Sequence, residues 1–481
     1  MFKFVLCLSL LNLSLMKEGY SSSNDENNSQ QIPQGSVQSR AKQIESLLNK
    51  KEAQPQPGEK KPQRLNPSRP LPVPSDPLKA ESKKDAETDK PKQRQNPPPR
   101  PRQPLPSKEI RRDCQKAPSS GHLRILAIDG GGVRGLIPAI VVAQLEKDLG
   151  LSITKAFDIF VGNSAGGMLA LILTKPDASQ QKPAFTALEI VEKVKELSAQ
   201  MFGGVQKSVL SKTKATLKKA KNLLTTGAQY NPEVLEKLAA DMYENTTLSQ
   251  AIKPVFVATF DLSSETTLIL STPLAKRSKL FDFKMADVAR ATSAAPFYFP
   301  IHPLEFTNNE VGTGLRMQLI DGGIGSNNPT LIGLMDVTKE YCTAPAYEVL
   351  SLGTGTAKHH FEKENMGRKG SPFMMLKPTI KGFMSAQTQN ADEATKVFLS
   401  VLNSFREKEK SNYTRLQVYL AEEDKKLDDV REQTTENLSQ KAQEIINGSK
   451  YKETVVRLKK QLCDEDIYRK ENMHDKMCSG G

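Results

Sequence analysis

The stretch FDIFVGNSAGGMLALILT, residues 157–174, decides how this chain is read. Phe157 to Gly162 is a short apolar run of the kind that forms a buried strand. Asn163 to Ala165 then reads as a tight turn, and the apolar residues from Ala165 onward continue as a helix. The turn is Gly162-Asn163-Ser164-Ala165-Gly166. A nucleophilic serine needs its hydroxyl presented at a sharp strand-to-helix turn, and small residues on either side allow the strained backbone and the close helix packing. The helix that starts there points its positive end at the same spot, which favours a developing oxyanion. A bare G-x-S-x-G also occurs by chance, so a purely structural joint is the competing reading.

Working outward, the same kind of unit stands just upstream. LRILAI at 123–128 reads as a buried strand, and LIPAIVVAQLEKDLG at 136–150 as an amphipathic helix that tolerates Pro138 in its first turn. Between them lies Asp129-Gly130-Gly131-Gly132-Val133-Arg134-Gly135. This contains G-x-G-x-x-G, yet a carboxylate directly before the first glycine would repel a pyrophosphate, and the Lys-Ser/Thr pair of a P-loop is missing. Consecutive glycines at a helix start offer unencumbered N–H groups, which an oxyanion hole requires; Gly131 and Gly132 are the favoured donors. Arg134 has three readings: a brace for the loop, a contact for an anionic lipid head group, or a structural salt bridge. A third motif, Asp321-Gly322-Gly323, ends the run MQLID. Alone it suits a turn-former as well as a base.

Further candidate strands are PVFVATF, TTLILS, MQLID and YEVLSLG, with helical patterns around 185–201, 230–242, 284–293 and 329–340. Alternating strands and helices predict an α/β layered fold with a mostly parallel central sheet. No internal repeat is visible. The expected organisation is a signal peptide over 1–20, a Pro-rich basic disordered linker over 21–120, and a catalytic domain over 121–412. A charged helical extension over 413–462 packs on that domain, followed by a flexible tail over 463–481.

Taken together, DGGGVRG, GNSAG and DGG in this order resemble the patatin-like phospholipases. ATSAAPFYFP at 291–300, SLGTG at 351–355 and NYTRLQ at 412–417 followed by LDD agree with that family. The likeness covers roughly Leu123 to Leu462. It implies a three-layer α/β fold and a Ser-Asp dyad in place of a triad. Ser164 matches the nucleophile, Asp321 the base, and Gly130, Gly131 and Gly132 the oxyanion-hole glycines. Arg134, Gly135, Gly162, Gly166, Gly322 and Gly323 support the motifs. The implied substrates are acyl esters of phospholipids or related glycerolipids, with no cofactor and no required metal.

A dyad poses a physical problem, because a free aspartate has a pKa of about 3.9, far below that of a serine hydroxyl. Apolar burial raises the carboxylate, and proton transfer concerted with attack needs only a positioned acceptor. Water would then hydrolyse the acyl-enzyme, with the same aspartate as base. His359 or His360 would instead reproduce a Ser, Asp, His order, but they lie in a polar loop that suits a solvated pair. His302 sits among apolar residues as a space-filler. A catalytically silent lipid- or partner-binding protein with the same fold is the remaining alternative; any protein partner or activator is unknown from sequence.

Charge bears on partners. The chain has 68 Lys and Arg against 55 Asp and Glu, a formal +13. Paired Cys/His spacings and aromatic-basic strand motifs are missing, so nucleic acid is not the expected partner. Residues 202–224 carry six lysines and no acid. On a helix, Val209, Leu210, Leu217 and Leu224 would face an anionic bilayer for peripheral contact; a solvated surface helix is the plainer reading. Residues 1–16 suit a signal-peptide core and are short for a span of roughly 20 residues, which predicts export; an uncleaved anchor is the alternative. The five cysteines show no C-x-x-C spacing; Cys463 and Cys478 would pair in an oxidising compartment, but two free thiols are the expectation.

Overall fold

In a computed structural model of the chain, the described residues are 121–203, 228–308, 313–356, 372–471, 473, 477 and 478. The expected leader over 1–20, the linker over 21–120, and His359, His360 and His474 lie outside them, as does the Lys-rich stretch from residue 204 to 227.

The chain alternates as the hydrophobic pattern predicts. Strand β1 (His122–Ile128) leads through a 3₁₀ turn (Gly132–Gly135) into helix α1 (Leu136–Leu149), which ends on a left-handed Gly150. Strand β2 (Ile159–Asn163) runs directly into α2 (Ser164–Thr174). Next come α3 (Ala187–Phe202), started by a Thr186/Glu189 capping box, and α4 (Pro232–Tyr243), capped by Asn231 with proline at its first position. Strands β3 (Val255–Asp261) and β4 (Thr266–Ser271) precede α5 (Met285–Thr292), and β5 (His302–Asn308) and β6 (Thr313–Asp321) precede α6 (Thr330–Glu340). The chain closes with β7 (Ala346–Leu352), the long α7 (Pro372–Ser404), β8 (Asn412–Leu416), α8 (Glu432–Asn447) and α9 (Ser449–Asp464).

The sheet order is β5-β6-β3-β2-β1-β7-β8, with β4 also paired to β3. β3, β2, β1, β7 and β8 are mutually parallel, while β4, β5 and β6 join antiparallel at one end. Side chains along the central strands alternate between two cores. Leu126, Ile128, Phe160 and Val257 face the layer containing α1, α2 and α3, and that same core takes in α8 and α9. Ile125, Ala127, Val161 and Ala258 face the layer containing α6 and the end of α7. Three layers result because the parallel strands are apolar on both faces and each face needs cover.

Three features depart from expectation. β8 contributes Asn412–Leu416 to the sheet, so the segment from residue 413 begins as an integral strand before the two charged helices. β5 and α7 had no expected counterpart. Finally, Cys463 and Cys478 form one disulfide rather than two free thiols, with Cα atoms 5.9 Å apart. After α9, Tyr468 is fully buried and its hydroxyl donates to Leu149 O at 2.8 Å. Cys342 is also disulfide-bonded. No helix among the described residues is long and apolar enough to cross a membrane.

Candidate active site

Strand register brings the first two residues of the site together. β4 lies along one edge of β3, so β2 and β6 must share the other. β2 ends with Asn163 opposite Ala258, and β6 ends with Asp321 opposite Thr259, the next residue of β3. Residue 164 therefore leaves the sheet where Asp321 arrives from the opposite direction.

Ser164 opens α2 with φ 49, a left-handed conformation that a non-glycine residue adopts only under local constraint. The constraint is visible in its surroundings. A Cβ on Gly162 would lie 2.3 Å from Gly166 O, and one on Gly166 would lie 2.3 Å from Ile128 O, so α2 packs hard against β1 and β2. Thr292, at the end of α5, locks the turn: its hydroxyl accepts from the Ser164 N–H at 2.7 Å and donates to Ala258 O at 2.6 Å.

Ser164 Oγ donates to Asp321 Oδ2 at 2.6 Å, and Asp321 Oδ1 accepts from the Gly323 N–H at 2.7 Å. Asp321 is 4% exposed. Burial pushes its carboxyl up to about 6, while the bonds from Ser164 and Gly323 pull it partly back. This is the elevation that a carboxylate base needs, and desolvation supplies it.

The glycine loop lies beside Ser164. The Gly130 N–H donates to Asn327 O at 3.3 Å. Its carbonyl accepts from Thr354 Oγ1 at 2.7 Å. The N–H groups of Gly131 and Gly132 have no acceptor among the described residues, and both glycines line the pocket in front of Ser164. Gly132 has φ 57, and a Cβ there would lie 2.2 Å from Leu427 O, so neither the conformation nor the space admits a side chain. Asp129, which argued against a nucleotide, is turned away and paired through both oxygens with Arg415 of β8.

Arg134 braces the loop. It donates Nε to Gly131 O at 3.3 Å and Nη1 to Gly355 O at 3.4 Å, bonding carbonyls rather than the carboxylate of a salt bridge. Burial lowers it to about 10. Gly135 packs against Ala165, Gly322 lies against Ala258 O, and Gly323 supplies the N–H to Asp321, so these motif glycines serve close packing around the site.

In front of the serine is a largely apolar pocket, lined along α2 by Met168, Leu169 and Ile172 and along α3 by Val194, Leu197 and Met201. Several of its residues carry no motif signal. Leu427 folds over the glycine loop, and Val133 N–H donates to its carbonyl at 3.0 Å; next to it, Asp428 accepts from Tyr230 at 2.5 Å. α7 contributes Met384, and its Thr388 accepts from Asn327 Nδ2 at 2.9 Å. The LDD stretch after NYTRLQ was the sole sequence pointer to Leu427. Among the described residues no histidine lines this pocket. His302 sits in a separate cleft with Asp287 and Arg290, its pKa held near 4 by burial and by Arg290, and His122 bonds Lys410 O. Nor is there a cluster of three metal-ligating side chains among the described residues.

Residues 126–334 match the family model for Patatin-like phospholipase. Patatin-like protein 2 of Oryza sativa subsp. indica is 34% identical over 320 residues, which cover 61% of this chain and 76% of that one. Patatin-like protein 2 of Arabidopsis thaliana is 30% identical over 385 residues, covering 74% and 90%. Patatin-07 of Solanum tuberosum is 27% identical over 374 residues, covering 72% and 91%. With relatives of at least 30% identity spanned over most of their length, and with the three-layer fold in place, this chain belongs to the patatin-like phospholipase family.

Proposed function

We propose that this protein is a lipid acyl hydrolase of phospholipase A type, cleaving ester-linked fatty acids from phospholipids or related glycerolipids. The observation that carries the reading is the 2.6 Å bond from Ser164 Oγ to the buried Asp321 carboxylate, at the head of an apolar pocket. Family membership supports the lipid substrate class.

Ser164 Oγ attacks the ester carbonyl while its proton passes to Asp321 Oδ2. The oxyanion accepts hydrogen bonds from the Gly131 and Gly132 N–H groups, aided by the N-terminus of α2. Collapse expels the lysolipid alkoxide, which takes the proton from Asp321 and leaves an acyl-enzyme. Water then attacks, again giving its proton to Asp321, and the second collapse returns that proton to Ser164 and frees the fatty acid. The pocket follows α2 from Ser164 to Ile172, about 12 Å at 1.5 Å per residue, which suits an acyl chain rather than a compact ester.

A histidine triad finds less support, since the acceptor position on Ser164 is taken by Asp321. Export fits the disulfide-bonded Cys463, Cys478 and Cys342, because such bonds persist in oxidising compartments. Peripheral contact of residues 202–224 with anionic lipid belongs to the same reading; replacing three of their lysines by glutamate should reduce vesicle binding while sparing a soluble ester.

The test is hydrolysis of fluorogenic acyl esters and phospholipid vesicles by wild type, Ser164→Ala and Asp321→Asn. Turnover by wild type that both substitutions abolish is the expected result. Hydrolysis that survives Ser164→Ala would end the nucleophile assignment.

A further inference from the structure

Two carbonyl clamps on the glycine loop carry an inference beyond the dyad. In a trans peptide the C=O of one residue and the N–H of the next are fixed in one plane and point in opposite directions. The Gly131 N–H therefore shares a rigid unit with the Gly130 carbonyl, and the Gly132 N–H with the Gly131 carbonyl. The described backbone contains no cis bond. Each of those two carbonyls is held by a donor from behind. Thr354 Oγ1 donates to Gly130 O at 2.7 Å. The Arg134 backbone N–H and its Nε donate to Gly131 O at 3.2 and 3.3 Å.

We propose that Thr354 and Arg134 are positioning residues of the oxyanion hole: by gripping the far end of each donor peptide they aim the Gly131 and Gly132 N–H groups at the reacting oxygen. The proposal rests on the Ser164–Asp321 reading and adds what orients its electrostatic partner. Gly131 and Gly132 have no side chains of their own to restrict rotation of these peptides, so an outside grip is needed. A preorganised donor contributes because it does not have to reorient as charge develops. Thr354 is the cleaner of the two to test. It is 2% exposed and does not line the pocket, whereas Arg134 does. Its side chain also lies flat against Gly131, where an added Cβ would come within 2.4 Å of Thr354 Oγ1. The hydroxyl is thus poised by packing on a glycine that cannot be replaced without displacing it.

Thr354→Val keeps the shape and removes the donor. We expect kcat on a soluble fluorogenic ester to fall about tenfold, less than the 10²–10³ lost when a donor is deleted outright, with KM within about twofold. Affinity for an alkyl trifluoromethyl ketone, whose serine adduct presents a tetrahedral oxyanion, should fall by about the same factor. Thr354→Ser, which restores the hydroxyl, should recover kcat to within about twofold, and Thr354→Cys, a weak donor, should fall between. A Thr354→Val enzyme with wild-type kcat, a loss confined to KM, or a serine variant as impaired as the valine one would overturn the proposal. If Thr354→Val does not fold, the serine and cysteine variants decide: equal kcat overturns it, and a several-fold deficit in cysteine alone supports it. Failure of the underlying reading looks different, because wild type would then show no hydrolysis that Ser164→Ala removes.

Discussion

The molecule contains two copies of one design, strand–turn–helix, side by side in the sheet, and their turns are held in opposite ways. The turn from β2 to α2 is a local construction. Its small residues, its helix start and its left-handed Ser164 lie within five consecutive positions, with Thr292 as the main outside support, 128 residues on. The turn from β1 to α1 has one local brace, Arg134, and is otherwise held from afar. Thr354 grips it across 224 residues, Arg415 pairs with Asp129 across 286, and the Leu427 carbonyl accepts from Val133. A nucleophile must be strained and exposed at one point, which short-range packing achieves. Donors on glycines have no side chains to fix them, so the rest of the fold has to supply the restraint.

The largest expected effect breaks the local turn. Ser164→Ala should lower kcat/KM by on the order of 10⁵-fold and Asp321→Asn by about 10⁴-fold, with far-UV circular dichroism unchanged. Next, Arg415→Met should break the distant support of the other turn. It strands buried Asp129 without a partner, and urea denaturation should register a loss of about 3–5 kcal/mol.

The pH dependence of the site at Ser164 and Asp321 separates its chemistry from its stability. If Asp321 is the base proposed above, activity should rise with pH along a limb centred near 6, because a carboxyl accepts a proton only when ionised. Stability should move the other way. The folded carboxyl titrates near 6 and the unfolded one near its ordinary 3.8, so between those values the folded state holds more protons. Unfolding free energy therefore falls as pH rises across that window, by on the order of 3 kcal/mol. Asp321→Asn should flatten this slope in urea titrations from pH 4 to 7; an unchanged slope would remove desolvation as the cause of the shift.

Smaller effects sharpen the contrast at the glycine turn. Gly132→Ala puts a side chain at φ 57 against Leu427 O and should cost about 10²-fold in kcat while leaving the Ser164–Asp321 bond in place. Tyr230→Phe removes the bond to Asp428 beside Leu427; we expect about 1 kcal/mol in thermal unfolding and at most a few-fold in activity.

Particular residues show how far the chain could be read without coordinates. The central strands, the turn at Ser164 and the glycine loop were legible because each is written in consecutive residues with a distinct hydrophobic period. β5 was not, since Pro303 interrupts a short amphipathic run at the edge of the sheet. β8 was masked by the charged helices that follow it, and its Arg415 gave no hint that it answers Asp129. Gly131 and Gly132 were already the favoured donors, and the backbone bond from Gly130 to Asn327 was not legible from the sequence. The pairing of Cys463 with Cys478 depended on the 5.9 Å approach of their Cα atoms, which a separation of 15 residues does not reveal.

By itself the amino-acid sequence determined the α/β class and the three motifs, because local patterns of apolar residues and glycines suffice for those, and the order of the motifs carried the resemblance to the family. Only the tertiary structure decided that Asp321 meets Ser164, through adjacent register positions on β3, and that Thr354, Arg415 and Leu427 restrain the glycine loop. The physical reason is that catalysis needs groups in contact, and contacts between residues hundreds of positions apart exist only after the sheet has set their registers.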